Sequence, residues 1–353
     1  MTRRFIMNLL ERSVAIIKEN QSSHGSYVAS PNFSQYSYSW FRDGAFIADA
    51  MNLVGERESA MSFLEWGIRT IAAQRTSIEK LLLMDLKDIT HRDLLPTRYL
   101  LNGRLALDNW PNGQSDGYGT FLWALGNFPD MEFVRGQRST IELITEYLEK
   151  IWQIRCFDVW EENADGLHTS TLLSIAAGLK ASESLLERTT LWREIIDFIL
   201  RNLTINGRFI KSTLNRGVDG SLCWAFYPFN LFGKEEPLVI NTLTEIERVL
   251  LFEGGSKRYE LDTYFGGGSW ILLSAYLGQC YLGMDQREKA LSIKAWIERH
   301  AKPNGELPEQ VPEHLLKDNM YRPWIDKWGE IACPLLWSHA AYVTLAVGLA
   351  GLE

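Results

Sequence analysis

The sequence predicts an all-α protein, a single-domain (α/α)6 barrel of about twelve helices. Three observations lead there. Apolar residues recur at the helical period through most of the 353 residues. No stretch alternates strand with helix as a doubly wound sheet would. No fixed-period repeat and no Pro-, Gly- or Ser-rich linker divides the chain. Length alone suggests two or three domains, but barrels are an exception to that rule. Paired as hairpins, twelve helices can close into a barrel around the core that a 46% hydrophobic content supplies.

In chain order, residues 5–20 place Ile6, Leu9, Leu10, Val14 and Ile17 on one stripe. Helical patterns follow at 43–54, 57–73, 115–127, 138–152, 168–185 and 190–203. The rest lie at 218–230, 239–253, 268–283, 286–301 and 334–351. The least regular is 218–230, which is rich in aromatics and holds Pro228. Thr97–Leu107 alternates like a strand pair around Asn102-Gly103, a favourable hairpin turn.

A net charge of −8 argues against nucleic acid or anionic membrane as a partner. No run of eighteen apolar residues predicts a membrane span. Cys156, Cys223, Cys280 and Cys333 are scattered, with no CxxC pair, and read as ordinary buried thiols. Glu11 and Arg12 interrupt the first apolar stretch too early for a signal peptide, so a cytoplasmic protein is expected.

Chemistry concentrates between the helices, where function tends to sit. Four segments combine aromatics with charges or amides: Tyr36–Asp43, Asp108–Gly117, Asp158–Glu162 and Arg258–Tyr264. A fifth, Asn304–Gln310, carries Glu306 and Glu309. Sugars suit such surroundings, since their C–H faces pack on flat rings while their hydroxyls need charged or amide partners. Several of the 13 Trp fall in these loops rather than on helical stripes. Singly, each signal has an ordinary explanation. Arg42-Asp43 could open a helix, where Asp suits the first turn. Glu161-Glu162 and Glu306/Glu309 could be solvated loop charges. Trp40 and Trp110 could simply pack, and His168 and His339 read as hydrogen-bonding core residues rather than metal ligands.

Taken in order, the segments SYSWFRDG, NWPNGQSDGYG, FDVWEENADGLHTST, RYELDTYFGGGSW, GELPEQV and PLLWSHAA resemble glycoside hydrolase family 15, the glucoamylase family, across nearly the whole chain. The resemblance implies an (α/α)6 barrel with its active site among the interhelical loops at one end. It implies release of β-glucose from non-reducing ends with inversion, and needs no metal or organic cofactor. Glu161 matches the general acid and Glu309 the general base. Glu162 matches a residue on the leaving-group side, and Arg42 and Asp43 the pair that grips the terminal glucose. Tyr36, Trp40, Trp110, Arg258, Asp262 and Trp337 fall at aromatic and polar pocket positions. The β-sandwich domain common before bacterial barrels and a starch-binding module are both missing from the pattern, so short oligosaccharides are the expected substrates. Isomaltose-like and maltose-like substrates are equally compatible. A trehalase of the same family and a non-catalytic sugar-binding barrel are the alternatives.

Inverting chemistry requires two carboxyl groups roughly 6.5–9.5 Å apart, to admit a water. Glu161 is expected to be raised by burial beside Trp160 and by the charge of Glu162. Glu309 is expected to be better hydrated or hydrogen-bonded and ionised, with Tyr36 positioning the water. Arg42 and Asp43 can reach one sugar together only from the start of a helix.

Overall fold

The computed structural model describes residues 8–351. Residues 5–7 of the first predicted helix, with Ile6, lie outside the described residues. In chain order the helices are α1 (Leu9–Glu19), α2 (Phe41–Leu53), α3 (Arg57–Ala73), α4 (Arg75–Leu82) and α5 (Asp116–Asn127). Next come α6 (Met131–Gly136), α7 (Arg138–Ile151), α8 (Thr169–Leu186), α9 (Trp192–Asn202) and α10 (Pro237–Leu250). The series ends with α11 (Ile271–Gly283), α12 (Arg287–His300), α13 (Asp318–Trp328) and α14 (Leu336–Ala350). None is long and apolar enough to cross a membrane.

Six elements form a closed inner ring. α2 packs on α5, α5 on α8, α8 on the 3₁₀ helix Gly220–Ala225, that helix on α11, α11 on α14, and α14 back on α2. Outside it, α1 lies on α14, α3 on α2, α7 and α9 on α8, α10 on the 3₁₀ helix and α12 on α11. This is the (α/α)6 barrel. Sequence determines which layer each helix joins. Every residue from Ile271 to Tyr281 is buried in α11, as a helix covered on all sides requires. In α9 only Ile195 and Ile199 are buried, the narrow stripe of an outer helix.

The predicted helix at 218–230 is corrected. Only Gly220–Ala225 winds, and as 3₁₀. Pro228 lacks an amide hydrogen and disfavours helical backbone at Tyr227, so the turn cannot propagate. Its buried Trp224 still fills the ring position against Phe46, Tyr276 and Trp337. Helices α4, α6 and α13 have no counterpart in the sequence reading.

Short strands pin the ends of inner helices. β1 (Ser39–Trp40) pairs with β2 (Arg98–Tyr99), Trp40 opposite Arg98. The Asn102-Gly103 turn forms, with Gly103 at φ +82° and its amide 2.8 Å from the Leu100 carbonyl. β3 (Thr204–Ile205) and β4 (Arg208–Phe209) make a hairpin. β5 (Leu251–Phe252), β6 (Gly255–Ser256), β7 (Ser269–Trp270) and β8 (Gln310–Val311) make a four-stranded sheet with Trp270 opposite Gln310. β1 runs directly into α2 and β7 into α11, so both sheets fix the N-terminal ends of ring helices.

The ring's closest approach is α5 against α8. A Cβ on Gly119 would lie 2.4 Å from the Ser174 carbonyl oxygen, and one on Gly178 2.4 Å from that of Gly119. Gly178→Ala is therefore expected to destabilise the protein by about 1–3 kcal/mol, as overpacking does. Gly136→Ala, whose Cβ meets nothing within 4 Å, is the control. Urea midpoints compare the two, and equal midpoints would contradict this account of the α5–α8 contact.

Candidate active site

The N-terminal ends of the ring helices surround a pocket of about 420 Å³. Its floor begins where β1 turns into α2, which places Arg42 and Asp43 in the first helical turn, both buried. Arg42 Nη1 donates to Gln114 Oε1 and to Asp116 Oδ2, each at 3.0 Å. Its Nε lies 3.5 Å from Asp43 Oδ2, an ion pair without a hydrogen bond. Burial raises the Asp43 carboxyl to about 6, against the opposing pull of Arg42. Trp337, in the first turn of α14, donates from Nε1 to Tyr276 at 2.8 Å and carries the Arg42 guanidinium over its ring.

One wall is the Asp158–Glu162 loop. Asp158 Oδ1 accepts from the amides of Trp160 at 3.0 Å and Glu162 at 2.9 Å. Glu161 stands at φ +67°, and its Oε1 accepts from Trp40 Nε1 at 2.6 Å. Burial raises its carboxyl above the ordinary value, with Arg42 and the Trp40 and Gln114 hydrogen bonds opposing. The neighbours differ from expectation. Trp40, not Trp160, contacts the carboxyl, since the Trp160 indole donates to Asp219 at 2.9 Å. Glu162 turns aside, accepting from Arg258 at 3.2 Å and from the Tyr259 hydroxyl.

The same lining carries Glu309, just before β8. Its amide donates to Ala332 O at 2.9 Å, and its own carbonyl accepts from Ile271 N at 3.3 Å. Oε1 accepts from the Tyr36 hydroxyl at 2.9 Å, and that hydroxyl lies 3.0 Å from the Tyr264 hydroxyl. The expectation of a better hydrated Glu309 is corrected. The residue is 2% exposed, and burial raises its carboxyl to about 8 although Tyr36 and Arg258 favour the charged form. Tyr36 and Tyr264, which crowd it, come from segments distant in sequence.

Ten of the eleven residues singled out from sequence line this pocket: Tyr36, Trp40, Arg42, Asp43, Trp110, Glu161, Glu162, Arg258, Glu309 and Trp337. Asp262 does not. It lies fully buried beneath Arg258, accepting from Arg258 Nε at 2.8 Å and from the Tyr264 amide at 2.9 Å. It therefore orients the guanidinium rather than facing the cavity. Trp160, Tyr264 and Trp270 also line the pocket. All three sat in the recognised segments; Trp160 was expected beside Glu161, whereas Tyr264 and Trp270 were not picked out. Trp324, Lys327 and Trp328 of α13 were missed altogether. A signal existed, since Tyr321, Trp324, Ile325 and Trp328 recur at helical spacing, but Pro323 reads as a breaker. Exposure increases from floor to mouth, where Asp108, Asn109 and Lys327 are exposed.

Residues 3–296 match the sequence profile described as Glycosyl hydrolases family 15. The chain belongs to this family. It is a glycoside hydrolase. The isomaltose glucohydrolase of Kribbella flavida is 34% identical over 96% of this chain and 91% of its own length. Trehalase 1 of Sulfolobus acidocaldarius is 25% identical over 54% of this chain and 34% of its own. A glycosidase variant solved in complex with glucose superimposes with a TM-score of 0.90 at 33% identity, covering 97% of this chain and 96% of that one. A bacterial glucoamylase complexed with acarbose shares the fold, with a TM-score of 0.73 at 17% identity over 98% and 56% of the two chains.

The raised Glu309 has a consequence for stability in this family 15 enzyme. In the unfolded chain the carboxyl ionises near 4.5, whereas in the folded protein it keeps its proton up to about 8. Between those values the unfolded state has released a proton that the folded state retains, so rising pH removes stability. Glu309→Gln is free of that loss. Its advantage over wild type is expected to be absent below pH 4.5, to grow by at most about 1.4 kcal/mol per pH unit, and to level off above pH 8. Urea unfolding at pH 5, 7 and 9 measures it, and a difference independent of pH would contradict the burial argument.

Proposed function

We propose that this enzyme is an inverting, exo-acting α-glucosidase that releases β-glucose from the non-reducing end of short α-glucosides. Glu161 is the general acid and Glu309 the general base. The observation that carries this reading is the convergence of the two carboxylates in one pocket, each held by an aromatic donor, Trp40 on Glu161 and Tyr36 on Glu309. The buried floor suits a terminal sugar. Arg42 and Asp43 both line it, with Arg42 Nε and Asp43 Oδ2 paired at 3.5 Å and neither engaged in a protein hydrogen bond. Trp40 and Trp337 add aromatic surface to its lining. The leaving sugar extends toward the mouth, past Glu162 and Arg258.

In the reaction Glu161, whose pKa burial raises, gives its proton to the glycosidic oxygen as the C1–O bond breaks. A water attacks C1 from the opposite face and passes its proton to ionised Glu309, with the Tyr36 hydroxyl orienting the carboxylate. The likeness to an isomaltose glucohydrolase over nearly the full length of both chains favours isomaltose-type substrates. The more partial likeness to a trehalase makes trehalose the second candidate.

Glucose release from isomaltose, maltose and trehalose, followed by proton NMR, tests the assignment. β-Glucose should appear first, and Glu161→Gln and Glu309→Gln should each lower kcat by about 10²-fold or more. α-Glucose first would refute inversion, and near-normal turnover in either variant would remove that residue's role. No release from any of the three would favour a sugar-binding barrel. The half-buried Trp324 and Trp328 line the pocket beside exposed Lys327, where the leaving sugar would stack on them. Trp324→Ala is then expected to raise KM for the disaccharide about tenfold, or ~1.4 kcal/mol, without weakening inhibition by glucose. Parallel loss of both would put Trp324 beside the terminal sugar instead.

A further inference from the structure

We propose that Lys211 is a positioning residue for the acid: it holds Asp158 and Asp219 together and thereby keeps the Asp158–Glu162 loop in the conformation that points Glu161 into the pocket. The inference rests on the assignment of Glu161 as the acid.

The loop needs a restraint. Glu161 and Asn163 stand at φ +67° and +57°, in a region that residues with a Cβ disfavour. Such a conformation persists only where its surroundings over-determine it. Asp158 supplies part of that restraint through its Oδ1, which accepts from the Trp160 and Glu162 amides on either side of Glu161. Asp219 supplies another part, since its Oδ2 accepts from the Trp160 indole, while Ser221 donates to its Oδ1 from both amide and hydroxyl.

Both carboxylates are 1% exposed, and they share one cation. Lys211 Nζ lies 2.9 Å from Asp158 Oδ2 and 2.7 Å from Asp219 Oδ2. No other ion pair reaches either carboxylate among the described residues. Burial disfavours the charged ammonium, but Asp158 and Asp219 outweigh it and raise its pKa. His168, near Asp158, does not replace it. Burial lowers its pKa, and its Nε2 sits 3.0 Å from the carbonyls of Cys156 and Asn163.

Lys211 also reaches the far end of the loop. Its Nζ stands 4.3 Å from the centre of the Tyr259 ring, and the Tyr259 hydroxyl donates to Glu162. Its carbonyl accepts from the amide of Thr169, the first residue of ring helix α8, at 3.0 Å. The lysine thus ties the loop to the barrel frame. It does not line the pocket, so it acts only through Asp158 and Asp219.

The test separates a misplaced acid from a damaged protein. α-Glucosyl fluoride needs little acid help. The C1–F bond breaks with fluoride leaving as the ion, a water oxygen bonds to C1, and Glu309 takes the water's proton. Lys211→Met is expected to lower kcat on the best of the three disaccharides by at least thirtyfold more than on the fluoride, with disaccharide KM changed less than threefold. Asp219→Asn, which keeps the size of the side chain and the Lys211–Asp158 pair, should show the same split more mildly, and it carries the test if Lys211→Met does not fold. Equal losses on both substrates, or no loss, in the folded variant overturn the proposal. Glu161→Gln is run alongside. If it shows no split, the acid assignment has failed. If it shows the split and the Lys211 and Asp219 variants do not, only this inference has failed.

Discussion

The ion pair between Arg42 and Asp116 joins the first turns of two neighbouring ring helices, α2 and α5, and the pocket is built on it. The partners are 7% and 0% exposed in their side chains, so neither charge can be left alone. Helix N-termini converge at this end of the barrel, and the positive ends of their dipoles favour carboxylates there. Asp43 and Asp116 both occupy such first turns. The guanidinium lies between the two carboxylates, and Arg42 and Asp43 both line the cavity. A second buried cluster, Arg258 with Asp262 and Glu162, repeats the arrangement. The cavity owes its shape to charges that must be paired inside a closed ring.

That ring also explains why two glutamates of similar chemistry behave differently. Glu161 projects from a loop and meets Arg42, Trp40 and Gln114, which soften the effect of burial. Glu309 is anchored by backbone hydrogen bonds to Ala332 and Ile271 and is enclosed by Tyr36 and Tyr264, so burial dominates. Its Oε2 has no protein partner. A carboxylate in that state is a strong proton acceptor once ionised, and the Tyr36 hydroxyl fixes the orientation of its other oxygen. In the free protein burial raises both carboxyls, Glu309 to about 8. For Glu309 to serve as the proposed base, a bound sugar and water would have to supply polar contacts that favour its charged form.

Most of the fold was legible because ring and outer helices obey different burial patterns. The unbroken apolar run of α11 and the narrow stripe of α9 are readable from sequence alone. The 3₁₀ helix was not, because Trp224 and its aromatic neighbours look helical by period while Pro228 denies the backbone its hydrogen bond. In the site, the ordered segments pointed to the lining residues but could not separate those that face the cavity from those that support them. Asp262 and Arg258 are four residues apart, and only their packing shows that one orients the other. The enclosure of Glu309 was equally hidden, since Tyr36 and Tyr264 reach it from remote parts of the chain. α13 failed for a local reason: a proline inside a helix that buries none of its residues looks like loop.

The placement of α13 separates two kinds of recognition. The pocket floor is continuous with the main core, where Phe46 stacks on Trp337 beneath the Arg42–Asp43 pair. The mouth is not. α13 packs on the short 3₁₀ turn Tyr264–Gly266 through a satellite cluster around Phe33, Phe265 and Ala332, apart from that core. Substitution at the floor disturbs paired charges and close-packed rings together, so the identity of the terminal sugar is held under strong constraint. Substitution in α13 disturbs a few half-buried aromatics and little else. A barrel organised in this way can keep one glycone and change its leaving group.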